Sequence, residues 1–362
     1  MNRFDLVFIL PSLDKSTHFS HTINLLNKLA QNIRLLVIVE KGKSINFDFS
    51  SYYINEPNYL KRLIKTFKII KKCRDNGCIH FYSHYSFFGA LSIGLVTKLF
   101  GGVSYYWNCG EPHKFFKNYF QLDKLGLQLS LFMTDYLITG TPLMKEYYAN
   151  IFKKDADEIL IIPNDISLSE FKYNYKIKKD DMVLFVHHLT PRKGADQIAK
   201  VAKVVLSKLP NTKFRIIGDG SYMEILVKEV EYIGGGINYD IQLLGKLNNI
   251  EVQDYFNNAT ILFVPSLEEG MPRVILEAMA SQTCVVSYDV GGISDMVGSI
   301  GNKYLVSQGN YEEMGNKIVK LLNSRSERDR LIREQNMIVK NYDTNKIIGM
   351  WLNLLDIKTK NG

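Results

Sequence analysis

Residues 260–295 read TILFVPSLEEGMPRVILEAMASQTCVVSYDVGGISD. Thr260 to Val264 is a short, β-branched apolar run, the pattern of a strand buried on both faces. A loop follows, and Pro272 stands where a first helical residue belongs, because its missing N–H and fixed φ suit that position. The spacing predicts a helix from Pro272 to about Ala280 and a second buried strand from Thr283 to Ser287. Strand, helix and strand in such close succession make a βαβ unit with parallel strands.

The same rhythm runs outward in both directions. Towards the N-terminus the expected strands are Met182 to His187, Lys213 to Ile217 and Ile241 to Leu244, and before them Asp5 to Leu10, Arg34 to Val39, Ile79 to Tyr82, Val103 to Trp107, Tyr136 to Thr139 and Ile159 to Ile162. Helical patterns lie around Ser20 to Ala30, Tyr59 to Arg74, Phe87 to Leu99 and Leu122 to Met133. The fold class is therefore α/β. Between the two runs of strands, Ser167 to Asp181 (SLSEFKYNYKIKKDD) loses apolar periodicity and reads as a linker. The expected organisation is residues 1–166, a linker at 167–181, and 182–344, two Rossmann-like doubly wound domains. If they face each other, a cleft forms at the carboxyl ends of their strands, where open parallel sheets bind ligands.

Composition agrees with this. The chain has 362 residues, 46% of them hydrophobic and 12% aromatic, ample for two cores. Disorder is excluded. Its apolar runs fall far short of the roughly 20 residues of a spanning helix. After Leu6 to Leu10 no small-residue cleavage site follows, so a cytoplasmic protein is expected. Cys73, Cys78, Cys109 and Cys284 have neither zinc-site nor disulfide-scaffold spacing.

Three segments carry chemistry. In the stretch above, Glu269 precedes the helix and Glu277 lies within it, separated by seven residues, so the two carboxylates can flank one ligand at a helix N-terminus that suits phosphate or polarised hydroxyls. Either could instead be ordinary: Glu269 a capping carboxylate, Glu277 part of a solvated face. In Met182 to Ala195 (MVLFVHHLTPRKGA), His187, His188, Arg192 and Lys193 occupy a strand-to-helix loop, where cations clamp a diphosphate or simply form a basic turn. In FRIIGDG, the Gly218-Asp219-Gly220 turn lets a ligand approach the backbone. Asp155-Ala156-Asp157 fits a D-x-D metal pattern, but its charged turn argues against that role.

Taken together, the Glu, seven residues, Glu pattern, the RKG after a strand, the GDG turn, LLG at Leu243 to Gly245, VPS at Val264 to Ser266 and VGG at Val290 to Gly292 occur in an order that resembles family 4 retaining glycosyltransferases of the GT-B fold. The resemblance is strong from about Ser167 to Val297; in the first half it rests on TDYLITGTPLMKEYY and IIPND. It implies transfer of a sugar from a nucleotide diphosphate donor without a metal or other cofactor. Lys193 then looks like the lysine on the diphosphate, Glu269 the carboxylate at the sugar end, Glu277 the ribose-binding carboxylate, and Gly270, Met271 and Pro272 backbone contacts. Where the family has G-R-L this chain has His187-His188-Leu189, so the second phosphate cation is His188 or Arg192. The glycine-rich loop after the first strand is replaced by Pro11 to His21 (PSLDKSTHFSH). The family's histidine after the strand near Tyr105 falls on Asn108 or Cys109, with Glu111 or His113 as substitutes. A final helix near Ile347 to Ile357, in a segment 345–362, is implied to cross back to the first domain.

Of the other histidines, His84 is expected to face the acceptor, His80 to be structural, and His18 and His21 to form no metal cluster. The remaining signal is charge. The formal net charge is +8, and residues 61–74 alone carry Lys61, Arg62, Lys65, Lys68, Lys71, Lys72 and Arg74 with no acid. Leu60, Leu63, Ile64, Phe67 and Ile70 form the expected buried stripe of this helix. The cations are expected to attract anionic headgroups at the inner membrane face, where a lipid-linked sugar would be the acceptor in surface polysaccharide or glycolipid assembly. No nucleic-acid-reading module accompanies them. A binding or scaffold protein that keeps the donor pocket without turnover is the alternative.

Overall fold

Strands β1 (Leu6–Leu10, LVFIL) and β2 (Leu35–Val39, LLVIV) are buried at every position, as parallel strands covered on both faces must be. They belong to a seven-stranded, wholly parallel sheet with β3 (Ser50–Tyr53), β4 (His80–His84), β5 (Val103–Trp107), β6 (Tyr136–Thr139) and β7 (Ile159–Ile161), in the order β3-β2-β1-β4-β5-β6-β7. Leu6 is in register with Leu35 on one side and His80 on the other. Helices α1 (Ser20–Ala30), α2 (Tyr59–Asp75), α3 (Phe87–Phe100), α4 (Leu122–Met133) and α5 (Pro142–Phe152) make the crossovers. Local chemistry starts them: Asn58 accepts from Lys61 N–H, Ser86 from Gly89 N–H and Thr141 from Met144 N–H, each satisfying an orphan donor of a first turn.

The computed structural model describes residues 3–13, 20–42, 47–110, 122–171, 181–234 and 240–356. They fall into two units, Met1–Asp165 with Thr344–Gly362, and Ile166–Asp343. The second has a six-stranded parallel sheet, β8 (Met182–Val186), β9 (Lys213–Ile217), β10 (Ile241–Gly245), β11 (Ile261–Val264), β12 (Cys284–Tyr288) and β13 (Leu305–Val306), ordered β10-β9-β8-β11-β12-β13. Its helices are α6 (Ala195–Leu206), α7 (Met223–Gly234), α8 (Asn249–Asn258), α9 (Arg273–Ala280), α10 (Ile293–Gly301), α11 (Tyr311–Asn323) and α12 (Arg325–Val339). In both sheets the strand order reverses beside the first strand of the unit, between β1 and β4 and between β8 and β11. The loops leaving those strands diverge there, the place where doubly wound sheets bind ligands.

The last helix, α13 (Thr344–Leu354), belongs to the first unit. Trp351 is buried with Ile347 and Leu352 in the core that holds Phe8 and Tyr82, its ring 4.8 Å from that of Tyr82. Thr344 Oγ1 donates to Asp165 Oδ2 at 2.7 Å, fixing the re-entry.

Several boundaries differ from the sequence reading. The division falls at Asp165/Ile166, ahead of the expected linker, because Ile166 N–H donates to Tyr342 O and Gln253 Nε2 to Glu170 O, tying residues 166–171 into the second unit. Residues 172–180 of that linker lie outside the described residues. Pro272 is the residue before α9 rather than its first, with ψ 122°. Strands β3 and β13 carry no apolar run to betray them: β3 is a mostly exposed edge strand and β13 is two residues long.

Candidate active site at the switch point of the second unit

The loops after β8 and β11 emerge side by side at the switch point and are stitched together by the Leu267 N–H to Arg192 O bond, 3.0 Å. Two glycines set their depth. A Cβ on Gly291 (φ +57°) would lie 1.7 Å from the Glu269 carbonyl oxygen, and one on Gly218 (φ +141°) 1.8 Å from that of His187. Only glycine fits either place. On the side where a Cβ would point, Gly218 packs against the His187 backbone.

Three side chains converge inside this frame. Lys193 and Glu269 are 7% and 6% exposed, and Lys193 Nζ lies 2.7 Å from Glu269 Oε1 and 3.2 Å from Glu268 O. His187 Nε2 lies 3.3 Å from the same Oε1. Burial alone would raise the Glu269 carboxyl, but the His187 hydrogen bond and the Lys193 charge outweigh it and hold it at about 2. The His187 ring goes the other way: burial lowers its pKa against the pull of Glu269. Its Nδ1 accepts from the His188 N–H at 2.7 Å, which puts the ring proton of the neutral form on Nε2, donating to Glu269.

The other expected residues divide. Glu277 is the fifth residue of α9, half-buried, its carboxyl raised by burial against the charge of Arg273. Gly270, Met271 and Pro272 are buried at the α9 N-terminus, where Gly270 O accepts from Gly292 N–H. Pro272 has no N–H and no side-chain cap to offer, so backbone donation from this stretch falls to its neighbours. Arg192 and His188 are exposed. The histidine that reaches Glu269 is His187, which the sequence offers only as one of the loop's cations; nothing local says which of two adjacent histidines turns inward. Asp155 accepts from Asp157 N–H at 2.9 Å, making the D-x-D segment a capped turn.

In the first unit, His84 ends β4 among aromatic rings, stacked on Trp107 at 5.6 Å and bonded through Nδ1 to Tyr82 Oη at 2.9 Å. Burial drives its pKa to about 3, so it is neutral at physiological pH. Tyr85, which the sequence did not single out, follows it with φ +56° and 44% exposure, a strained backbone for a bulky side chain. Asn108 bonds Tyr106 Oη and Tyr148 Oη, both within the unit, and Cys109 packs against the core. His80 contacts Tyr105 and His21 lies on α1. His18, Glu111, His113 and residues 14–19 of the first loop lie outside the described residues.

Helix α2 is turned from the expected face. Its buried residues are Arg62, Thr66, Ile70 and Cys73, leaving Leu60 66% exposed and Ile64 exposed beside it. The Arg62 guanidinium lies 4.8 Å from the centre of the Tyr59 ring and 5.5 Å from that of Phe88, against the stacked pair that these two rings form at 5.4 Å. Flanking groups engage three more cations: Lys65 pairs with Glu56, Lys71 with Asp75, and Arg74 donates to Gly101 O. The neighbouring helices expose Leu99 on α3 and Leu125, Leu129 and Phe132 on α4, with Lys98 Nζ 4.5 Å over the Phe132 ring. Among the described residues, no helix is long and apolar enough to cross a membrane.

Comparison with known proteins matches residues 169–336 to the family "Glycosyl transferases group 1". An uncharacterized glycosyltransferase of Haemophilus influenzae is 27% identical over 232 residues, 64% of each chain. The GalNAc-alpha-(1->4)-GalNAc-alpha-(1->3)-diNAcBac-PP-undecaprenol alpha-1,4-N-acetyl-D-galactosaminyltransferase of Campylobacter jejuni is 25% identical over 213 residues, 58% of this chain and 57% of the other. The chain spans less than two thirds of the length of either relative. The Anabaena protein HepE, solved in complex with UDP, superposes with a TM-score of 0.79 at 15% identity, covering 98% of this chain and 100% of that one. The two Rossmann-like sheets are those of the GT-B fold, and the resemblance to GT-B glycosyltransferases holds in both sequence and fold.

Proposed function

We propose, from a chain whose second unit is a glycosyl transferases group 1 domain in a GT-B fold, that this protein is a retaining, metal-independent glycosyltransferase. It moves a sugar from a nucleotide diphosphate donor to a sugar or lipid-linked acceptor. The observation that carries the reading is the buried Lys193–Glu269–His187 cluster beside the α9 N-terminus. A lysine and a helix N-terminus preorganised in a site of low dielectric stabilise the negative charge of a departing diphosphate, the task a metal performs elsewhere. A carboxylate held ionised accepts a hydrogen bond from a sugar hydroxyl and so orients the sugar. Glu277, further along α9, is the partner for the ribose hydroxyls. His84, Tyr85 and Asn108, at the carboxyl ends of the first unit's strands, are the acceptor contacts.

The acceptor is read as membrane-held, in surface polysaccharide or glycolipid assembly, with the enzyme peripheral at the inner membrane face. Support comes from helices α2 to α4, which expose apolar Leu60, Leu99, Leu129 and Phe132 as well as Lys61, Lys68, Lys72 and Lys98. The Campylobacter relative is named for an undecaprenol-linked acceptor, which agrees.

The test is a panel of nucleotide sugars offered in EDTA with soluble and lipid-linked acceptors, the product linkage read by NMR. Transfer with the donor's anomeric configuration retained is expected. An inverted product, or transfer that requires a divalent cation, overturns the respective part of the assignment; nucleotide binding without turnover overturns all of it.

A further inference from the structure

The Glu269 carboxylate is already half committed before any sugar arrives. Its Oε1 accepts from two protein donors, Lys193 Nζ at 2.7 Å and His187 Nε2 at 3.3 Å, while Oε2 takes no hydrogen bond from the described residues. The second donor is built in. The His187 N–H bonds Ile217 O at 3.1 Å, its carbonyl lies against Gly218, and its ring Nδ1 receives the next residue's N–H, so backbone and ring are held from three sides. Such support fixes a side chain to the tolerance that a binding constellation demands.

We propose that His187 is a positioning residue that sets donor-sugar selectivity by occupying Glu269 Oε1, leaving Oε2 alone to accept a single sugar hydroxyl. A carboxylate with both oxygens open takes one hydroxyl on each and tolerates several arrangements of them; one with a single open oxygen demands a hydroxyl at one place. Discrimination follows from the unpaired polar group that a wrong sugar leaves behind. The ring stays a donor through neutral pH, because a proton on Nδ1 would point at the His188 N–H. This inference rests on the reading of Glu269 as the sugar-end carboxylate.

The test compares wild type, His187→Gly and His187→Gln over the same panel of nucleotide sugars, with kcat and KM separated. His187→Gly should cut the ratio of kcat/KM between best and second-best sugars at least tenfold, with the larger part of the loss for the best sugar in kcat. His187→Gln keeps an N–H donor and should recover most of the ratio. An unchanged ratio in His187→Gly, or a uniform loss for every sugar, overturns the inference while leaving the function intact. Wild type that transfers no sugar overturns the function itself. Imidazole NMR gives a readout independent of turnover: an Nε2–H tautomer supports the arrangement, and an Nδ1–H tautomer refutes it.

Discussion

Lys193 and Glu269 are 76 residues apart in the chain and 2.7 Å apart in the fold, both buried, so neither charge is tolerable without the other. Lys193→Met and Glu269→Gln should each lower stability by about 3 kcal/mol, since each strands a buried charge. The double variant should be more stable than the sum of the two predicts. Transfer should fall at least ~10²-fold in each single variant. Urea denaturation of the four-protein cycle, beside transfer assays, checks both; additive losses would mean the pair is not coupled.

Acid should destabilise the protein in two windows. His84 has an ordinary pKa of 6.5 and a folded one of about 3, so its contribution is complete above 6.5 and is lost as pH falls towards 3, when the unfolded chain takes up the proton first. Glu269, ordinarily at 4.5 and held at about 2, contributes above 4.5 and loses that contribution as pH falls towards 2. Between pH 6 and 5, His84→Phe should flatten the slope of unfolding free energy by at most about 1.4 kcal/mol per pH unit. Denaturant titrations at several pH values measure it, and parallel slopes would show that His84 is not held neutral.

Gly291 sets the height of Glu269. Gly291→Ala drives a methyl to within 1.7 Å of the Glu269 carbonyl oxygen and strains a φ of +57° as well. A loss of about 2 kcal/mol or more is expected, with transfer reduced because the carboxylate moves. Gly309 also has positive φ (+85°) but open space around it, so Gly309→Ala should show the smaller backbone cost alone and unchanged transfer. Thermal melts and transfer assays of the two variants decide between packing and strain.

The proposed membrane docking predicts a contact that depends more on the α3 and α4 apolar residues than on the α2 charges, several of which are engaged within the unit. Leu129→Glu with Phe132→Glu should abolish flotation on anionic vesicles at any salt. Replacing Lys61, Lys68 and Lys72 by Gln should weaken binding by at most about 1 kcal/mol per charge and reduce its salt dependence. Flotation that survives the first pair places the contact elsewhere.

Much of the architecture was legible because it is written in short-range patterns. Apolar runs such as LLVIV mark fully buried parallel strands, and their alternation with helical periodicity leaves few topologies beyond two doubly wound sheets. The places of Lys193, Glu269 and Glu277 in the fold follow from the same short-range patterns, since each lies close to a strand end or a helix start. Other features needed the tertiary structure. Helix α2 buries Arg62 rather than Leu60, with the guanidinium against aromatic rings from α2 and α3, and helical periodicity does not encode a neighbour's shape. His187 rather than His188 meets Glu269 because the end of β8 is pinned to β9 and to Gly218, contacts made across 31 residues of chain. A sequence sets which residues are available at a strand end; the side to which each turns depends on the direction in which the backbone leaves the sheet, and that is determined by long-range packing.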